Sequence, residues 1–183
     1  KAVIQLLAAC PGDAVATRKE LLVATRHILA TDFRRGFFAQ VDVLLDEKVL
    51  VGVGRLSHEA LRPRAYSTLA DLVHHVRAQL SLAQLARVIQ LFARNIHDPT
   101  LPVAIQTTSV RLLLNLVDYI FHNLDADARR GHALLARVLR TLVHKFGTLR
   151  RHIPKVEAAE RERLAEAEES EAGAARKLAL ALD

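Results

Sequence analysis

The feature that most constrains this chain is the even recurrence of its helix starts. The helices come in pairs, and the second helix of successive pairs opens near residues 14, 57 and 101, so those starts are 43 and 44 residues apart. Each apolar stripe has the i, i+3, i+4, i+7 spacing of a helix that buries one face. After Asp13 the stripe is Leu21, Leu22, Thr25, Ile28 and Leu29, and the following segment repeats it with Phe33, Phe37, Phe38, Val41, Leu44 and Leu45. A break at "VGVGRLS" ends in Ser57, whose hydroxyl is expected to cap the next helix, striped by Leu61, Ala65, Leu69, Leu72 and Val76.

Ser81 is placed to cap a helix carrying Leu82, Leu85, Ile89, Phe92 and Ile96. "HDPTLP" stops that helix, because proline lacks an N–H donor and restricts the residue before it. Pro102 suits the first turn of the next helix, which carries Ile105, Leu112, Leu116 and Ile120. Asp127 is expected to cap one more, with Leu135, Val138, Leu142, Phe146 and Leu149 inside. Strand signals are confined to the short, glycine-interrupted "VLVGV" at 49–53.

The expected fold is therefore all-α, and the helices come in pairs. A period of ~40–47 residues per helical pair is the signature of HEAT or armadillo arrays. About four antiparallel pairs are expected, at 1–31, 33–79, 82–123 and from 127 to 154 onward. In such an α-solenoid each pair buries its apolar face on its neighbours. The chain begins with Lys1 inside an apolar run and contains no methionine. Residues 1–9 accordingly read as part of a pair begun upstream, and the chain as an internal fragment of a larger superhelix. Residues 155–183 form a second region, entered at Pro154. "KVEAAERERLAEAEESEAGAARK" at 155–177 favours helix by composition but offers little to bury. It is either a solvated helix or a partly helical linker.

One cysteine, Cys10, provides neither a disulfide framework nor a thiolate metal site. The apolar runs, such as "VRLLLNLVDYIF", are broken by charge well short of the ~18–20 residues a membrane span needs. The net charge of +6 is unevenly placed: residues 1–151 hold 21 Lys/Arg against 12 Asp/Glu, and residues 152–183 hold 5 against 8. A basic body attracts nucleic acid or acidic protein segments, although a solvated surface has the same composition.

Nine histidines raise the question of a metal. Asp71 and His75, four apart inside "RPRAYSTLADLVHHVRAQL", are the one tight helical pair, and zinc needs three or four ligands. His74 and His75 are adjacent and point about 100° apart on a helix, so both cannot aim inward. "HEALR" at 58–62 starts like a zinc-protease motif and fails at Arg62. No nucleophile elbow or phosphate-binding loop occurs, and Asp46 and Glu47 are expected to face solvent at a helix end. A metal-dependent enzyme built on Asp71 and His75 is the weakest of three readings, and no cofactor or small-molecule substrate is expected. The basic doublets Arg34/Arg35, Arg129/Arg130 and Arg150/Arg151 are each expected at a helix terminus, where they would form an interaction rim. They suit phosphate contact, yet only eight aromatic residues are present and most sit in the stripes, which leaves base stacking poorly supplied.

Four stretches carry a specific resemblance: "TRKELLVATRHILATDFRRGFF", "LDEKVLVGVGR", "LRPRAYSTLADLVHHVR" and "QLFARNIHDPTLPVAIQTTSVRLLLNLVD". Together they resemble the HEAT region of the transformation/transcription domain-associated protein (TRRAP) family and its fungal counterparts, pseudokinases related to phosphatidylinositol 3-kinase. The resemblance is close over 17–123 and looser to about residue 149. Arg64, between Pro63 and Ala65, departs from the leucine of the family pattern, and 155–177 has no counterpart.

That resemblance implies a nuclear, non-catalytic scaffold shared by SAGA-type and MYST-type histone acetyltransferase complexes. Its partners would be complex subunits and acidic activation domains, with no membrane. The kinase-like domain of such proteins lies elsewhere, so no catalytic residue carries over. Acidic, partly disordered segments that fold on binding need a basic rim and an apolar floor, and Arg34, Arg35, Arg129, Arg130, Arg150 and Arg151 are the rim candidates. A nucleic-acid-contacting solenoid is the alternative.

Overall fold

A computed structural model describes residues 2–122 and 128–180, with the side chains of 55–58 and 170–180 left aside. Among the described residues all regular structure is helical: α1 (Ala2–Ala9), α2 (Val15–Leu29), a 3-10 helix (Asp32–Gln40), α3 (Val41–Leu44), α4 (Glu47–Leu50), α5 (Arg55–Val76), a 3-10 turn (Arg77–Gln79), α6 (Leu82–His97), α7 (Val103–His122) and α8 (Ala128–Leu180). The chain divides into two compact units, Lys1–Leu142 and Val143–Asp183.

In the first unit α1 packs on α2, α2 on α5, α5 on α7, and α6 on α7. The helices group as α1 with α2, the broken 32–50 segment with α5, and α6 with α7. α5 lies at the centre because it is apolar on more than one face. Leu61, Ala65, Leu69, Leu72 and Val76 form the anticipated stripe, and Tyr66, Ala70 and Val73 are buried as well. α6 begins with a full capping box, in which the Ser81 hydroxyl accepts from the Gln84 N–H at 3.2 Å and the Gln84 side chain accepts from the Ser81 N–H at 3.0 Å.

Three local expectations change. The helix over 33–45 is replaced by the 3-10 helix and the single turn α3, and α4 follows as a separate turn. Thr31 accepts from the Phe33 N–H at 3.3 Å and Asp46 accepts from the Lys48 N–H at 2.9 Å. Each hydrogen bond starts a new local segment, which competes with one continuous helix. Phe33 falls outside the core and is exposed, whereas Phe37, Val41, Leu44 and Leu45 are buried. Ser57, the expected cap, lies within α5, which already starts at Arg55 after Gly54, at φ 111°. Residues 123–127, including the expected cap Asp127, lie outside the described residues.

The core of the first unit closes around a charge. Arg18 shares a face with Leu22, Thr25 and Leu29 on α2, and only 1% of its surface is exposed. Its Nε donates to the Val51 carbonyl at 3.3 Å, and Nη1 donates to those of Leu7 at 3.2 Å and Cys10 at 2.8 Å. Nη2 donates to the carbonyls of Lys48, at 3.5 Å, and Val49. These carbonyls belong to the C-terminal ends of α1 and α4, which no residue in their own helix can satisfy. The backbone makes room for the guanidinium at Gly52, whose φ is 99° and whose missing Cβ would stand 2.8 Å from Arg18 Nε. At Gly12 a Cβ would meet the Val53 carbonyl oxygen at 2.7 Å, so the chain after α1 lies directly on the 51–54 turn.

The second unit is the C-terminal part of α8, a single helix that continues through Pro154. Phe146 and Leu149, expected inside, are exposed together with Ile153 and Val156. A lone helix provides no second face within the unit against which that stripe can pack.

Removing the Arg18 side chain strands its carbonyl partners in the core. Arg18→Ala is expected to cost about 3–5 kcal/mol, because several buried carbonyls lose their donor at about 1–3 kcal/mol each, or roughly 10 °C in Tm. Arg18→Lys should recover little, because an ammonium cannot fork to several carbonyls. Thermal denaturation checks this, and a loss under about 1 kcal/mol would mean that the clamp adds nothing net.

Candidate protein-interaction surface

Polar side chains link each helix pair to the next. Between the first and second pairs, Arg26 Nε on α2 meets Asp71 Oδ2 on α5 at 3.0 Å. Asp71 thus points to a neighbouring helix. Both partners are well exposed, so this bridge orients more than it stabilises. His74 and His75 are exposed side by side, their rings 5.5 Å apart and edge-on. Among the described residues no three His, Cys, Asp or Glu side chains group as metal ligands.

The second and third pairs are joined more elaborately. Asp42 on α3 accepts from Arg87 Nη1 at 2.7 Å and from Gln84 Nε2 at 2.8 Å, both on α6. Glu47, at the start of α4, accepts from the Tyr66 hydroxyl of α5 and from Arg94 of α6. Glu47 was expected to face solvent, but it is half-buried at a junction of three helices. Burial pushes its carboxyl up, and the bonds from Arg94 and Tyr66 outweigh this, leaving it below its ordinary value. Burial and Glu47 together raise the Tyr66 phenol.

Arg62, stacked 5.6 Å from the Tyr66 ring centre, extends this network to the turn between α6 and α7. Its Nη1 donates to the Thr100 hydroxyl at 3.0 Å and its Nη2 to the Asp98 carboxylate. Asp98 also accepts from the Thr100 N–H at 2.9 Å and the Thr100 hydroxyl at 2.6 Å. The "HDPT" turn therefore does more than stop α6, because it docks on the preceding pair. Burial pushes the Asp98 carboxyl up, but the Thr100 and Arg62 hydrogen bonds prevail and hold it at about 2.

The basic doublets occupy three separate segments. Arg34 and Arg35 lie in the 3-10 helix, Arg34 half-buried and close enough to His75 to disfavour its charged form. The His75 imidazole is lowered first by burial and then by Arg34. Arg129 and Arg130 are exposed in the first turn of α8. Arg150 and Arg151 lie in the interior of α8, in the second unit, not at a helix terminus; Arg151 Nε donates to the Gly147 carbonyl at 3.2 Å.

Stacked antiparallel helix pairs joined by polar links define an α-solenoid segment of the HEAT type. The chain matches, over residues 1–180, the family described as the Tra1 HEAT repeat central region, and it belongs to that family. It is 49% identical over 152 residues to the human transformation/transcription domain-associated protein, covering 83% of this chain and 4% of that one. It is 40% identical over 152 residues to the SAGA complex/NuA4 acetyltransferase complex subunit TRA1 of Saccharomyces cerevisiae, covering 81% and 4%. A Dictyostelium discoideum relative, probable transcription-associated protein 1, is 42% identical over 156 residues, covering 85% and 3%. The chain thus spans about 3–4% of the length of these relatives. It is a HEAT-repeat region, not a catalytic domain.

The depressed Asp98 carboxyl ties stability to acid. A group whose folded pKa lies below its ordinary 3.8 adds stability above that value and loses it as pH falls toward about 2. Tm is therefore expected to drop between about pH 4 and pH 2, and the drop should be shallower in Asp98→Asn. Melting curves across that range decide it, and identical acid limbs in both proteins would remove Asp98 from the account.

Proposed function

We propose that this segment is part of a non-catalytic scaffold in a transcription coactivator subunit of histone acetyltransferase complexes. The observation that carries the reading is membership of the Tra1 family over 1–180, together with relatives named as SAGA/NuA4 subunits. On this reading the protein works in the nucleus and its partners are complex subunits and acidic activation domains. The kinase-like domain of the whole protein, without catalytic residues, lies outside the segment. On the same reading residues 1–154 belong to the solenoid segment and residues 155–183 are a charged helix or linker beyond it.

The physical support is the surplus of cations over residues 1–151, 21 against 12 acidic groups. Within the first unit Arg34, Arg35, Arg129 and Arg130 form the candidate rim; Arg150 and Arg151 are a separate basic doublet in the second. A basic edge beside apolar helix faces attracts acidic segments and raises their association rate. The same surplus favours a second reading, contact with duplex nucleic acid, which would show a steep salt dependence.

Reversing Arg34, Arg35, Arg129 and Arg130 to Glu is expected to weaken binding of an acidic activation-domain peptide at low salt by at least about tenfold. Fluorescence anisotropy measures it, and unchanged affinity would exclude this rim. Gel-shift titration against salt isolates the nucleic-acid reading, which requires a steep slope with duplex DNA.

A further inference from the structure

A groove of about 680 Å³ opens between α2 and α5. Its apolar lining includes Leu22, Ala30 and Pro63, and its polar lining includes Arg26, His27 and Arg64. All three polar side chains are on exposed residues. Among the described residues no carboxylate lines the groove, although Asp71 reaches Arg26 at 3.0 Å and offsets part of its charge. Thr68 also lines it, and this residue is 2% exposed with a hydroxyl that has no hydrogen-bond partner.

The size and chemistry favour one kind of occupant. The volume admits a few side chains. Guanidinium groups receive carboxylates in forked geometry, and the apolar lining takes the neighbouring side chains. Duplex DNA fits less well, since it needs cations in a line along a phosphate backbone and not a half-apolar recess. We propose that the α2–α5 groove binds an acidic peptide segment in which a carboxylate is flanked by large apolar residues. Arg26 and Arg64 receive the carboxylate, and Leu22, Ala30 and Pro63 receive its apolar neighbours. This proposal rests on the scaffold reading above and gives it a defined recess distinct from the rim arginines.

The test uses the full 183-residue chain and a labelled synthetic peptide alternating Asp with Leu and Phe. The same peptide with every Asp replaced by Asn, and a short duplex DNA, are the comparisons. The acidic peptide is expected to bind, and the Asn peptide to bind at least about tenfold more weakly. The double substitution Arg26→Gln with Arg64→Gln should reduce acidic-peptide affinity about tenfold. Ala30→Phe, which fills the groove from an exposed position and leaves both arginines in place, should produce a similar loss. Thermal melts confirm that both variants fold. If the peptide binds, the groove variants leave it unchanged and only the rim reversal weakens it, the groove is overturned while the scaffold reading stands. If wild-type chain binds no acidic peptide, the groove falls together with the acidic-partner part of the scaffold reading. Tighter binding of the duplex, lost in the groove variants, overturns the peptide in favour of nucleic acid.

Discussion

The first unit depends on one buried cation. Arg18 leaves α2 from its apolar face and gathers the carbonyls of Leu7, Cys10, Lys48, Val49 and Val51 around its guanidinium. Two helices of different pairs, α1 and α4, thereby end on the same group. A carbonyl-rich helix end is a favourable place for positive charge, and charge-assisted hydrogen bonds are stronger than neutral ones. The glycine positions follow from this arrangement: Gly52 adopts a positive φ beside the guanidinium and Gly12 lets the chain lie against Val53. Without Arg18, those turns would bury polar backbone with no partner.

From that point the structure proceeds by short-range links. Arg26 with Asp71, Asp42 with Arg87, and the chain Arg94–Glu47–Tyr66–Arg62–Asp98 each join one helix pair to the next. Solenoid stability is approximately a sum of repeat and nearest-neighbour terms, and these side chains set the register of the neighbours while the leucine and isoleucine stripes supply most of the burial. Individually the exposed bridges contribute little. Their value is directional, because a slipped pair would leave Glu47 and Arg62 half-buried without their partners.

Much of this was legible in sequence because helical periodicity is a strong signal. The stripes of α5, α6 and α7 appear where their spacing places them, and Ser81 and "HDPT" act as punctuation. What escaped sequence reading was polar and long-range. Arg18 stands four residues before Leu22 on the same stripe, so its position hinted at burial, but a charged side chain is by default assigned to solvent. Glu47 was assigned to solvent for the same reason, and only the fold brings Tyr66 and Arg94, 19 and 47 residues away, to it. The break at 32–50 escaped because Thr31 and Asp46 act locally, below the resolution of a periodicity argument. The Asp71–His75 pair, which invited a metal, resolved into an interhelical bridge to Arg26. The acidic-peptide groove had no signal in the linear pattern, since its arginines come from helices 38 residues apart in sequence.

The central claim is that Arg18 holds α1 and α4 to α2, while α6 and α7 are held by their own stripes. Hydrogen–deuterium exchange of the Arg18→Gln chain tests it most directly. Protection is expected to fall together in α1, in α4 and in the 51–54 turn, while α6 and α7 exchange as in the unsubstituted chain. Unchanged protection in α1 and α4, or an equal loss spread over α6 and α7, would contradict it.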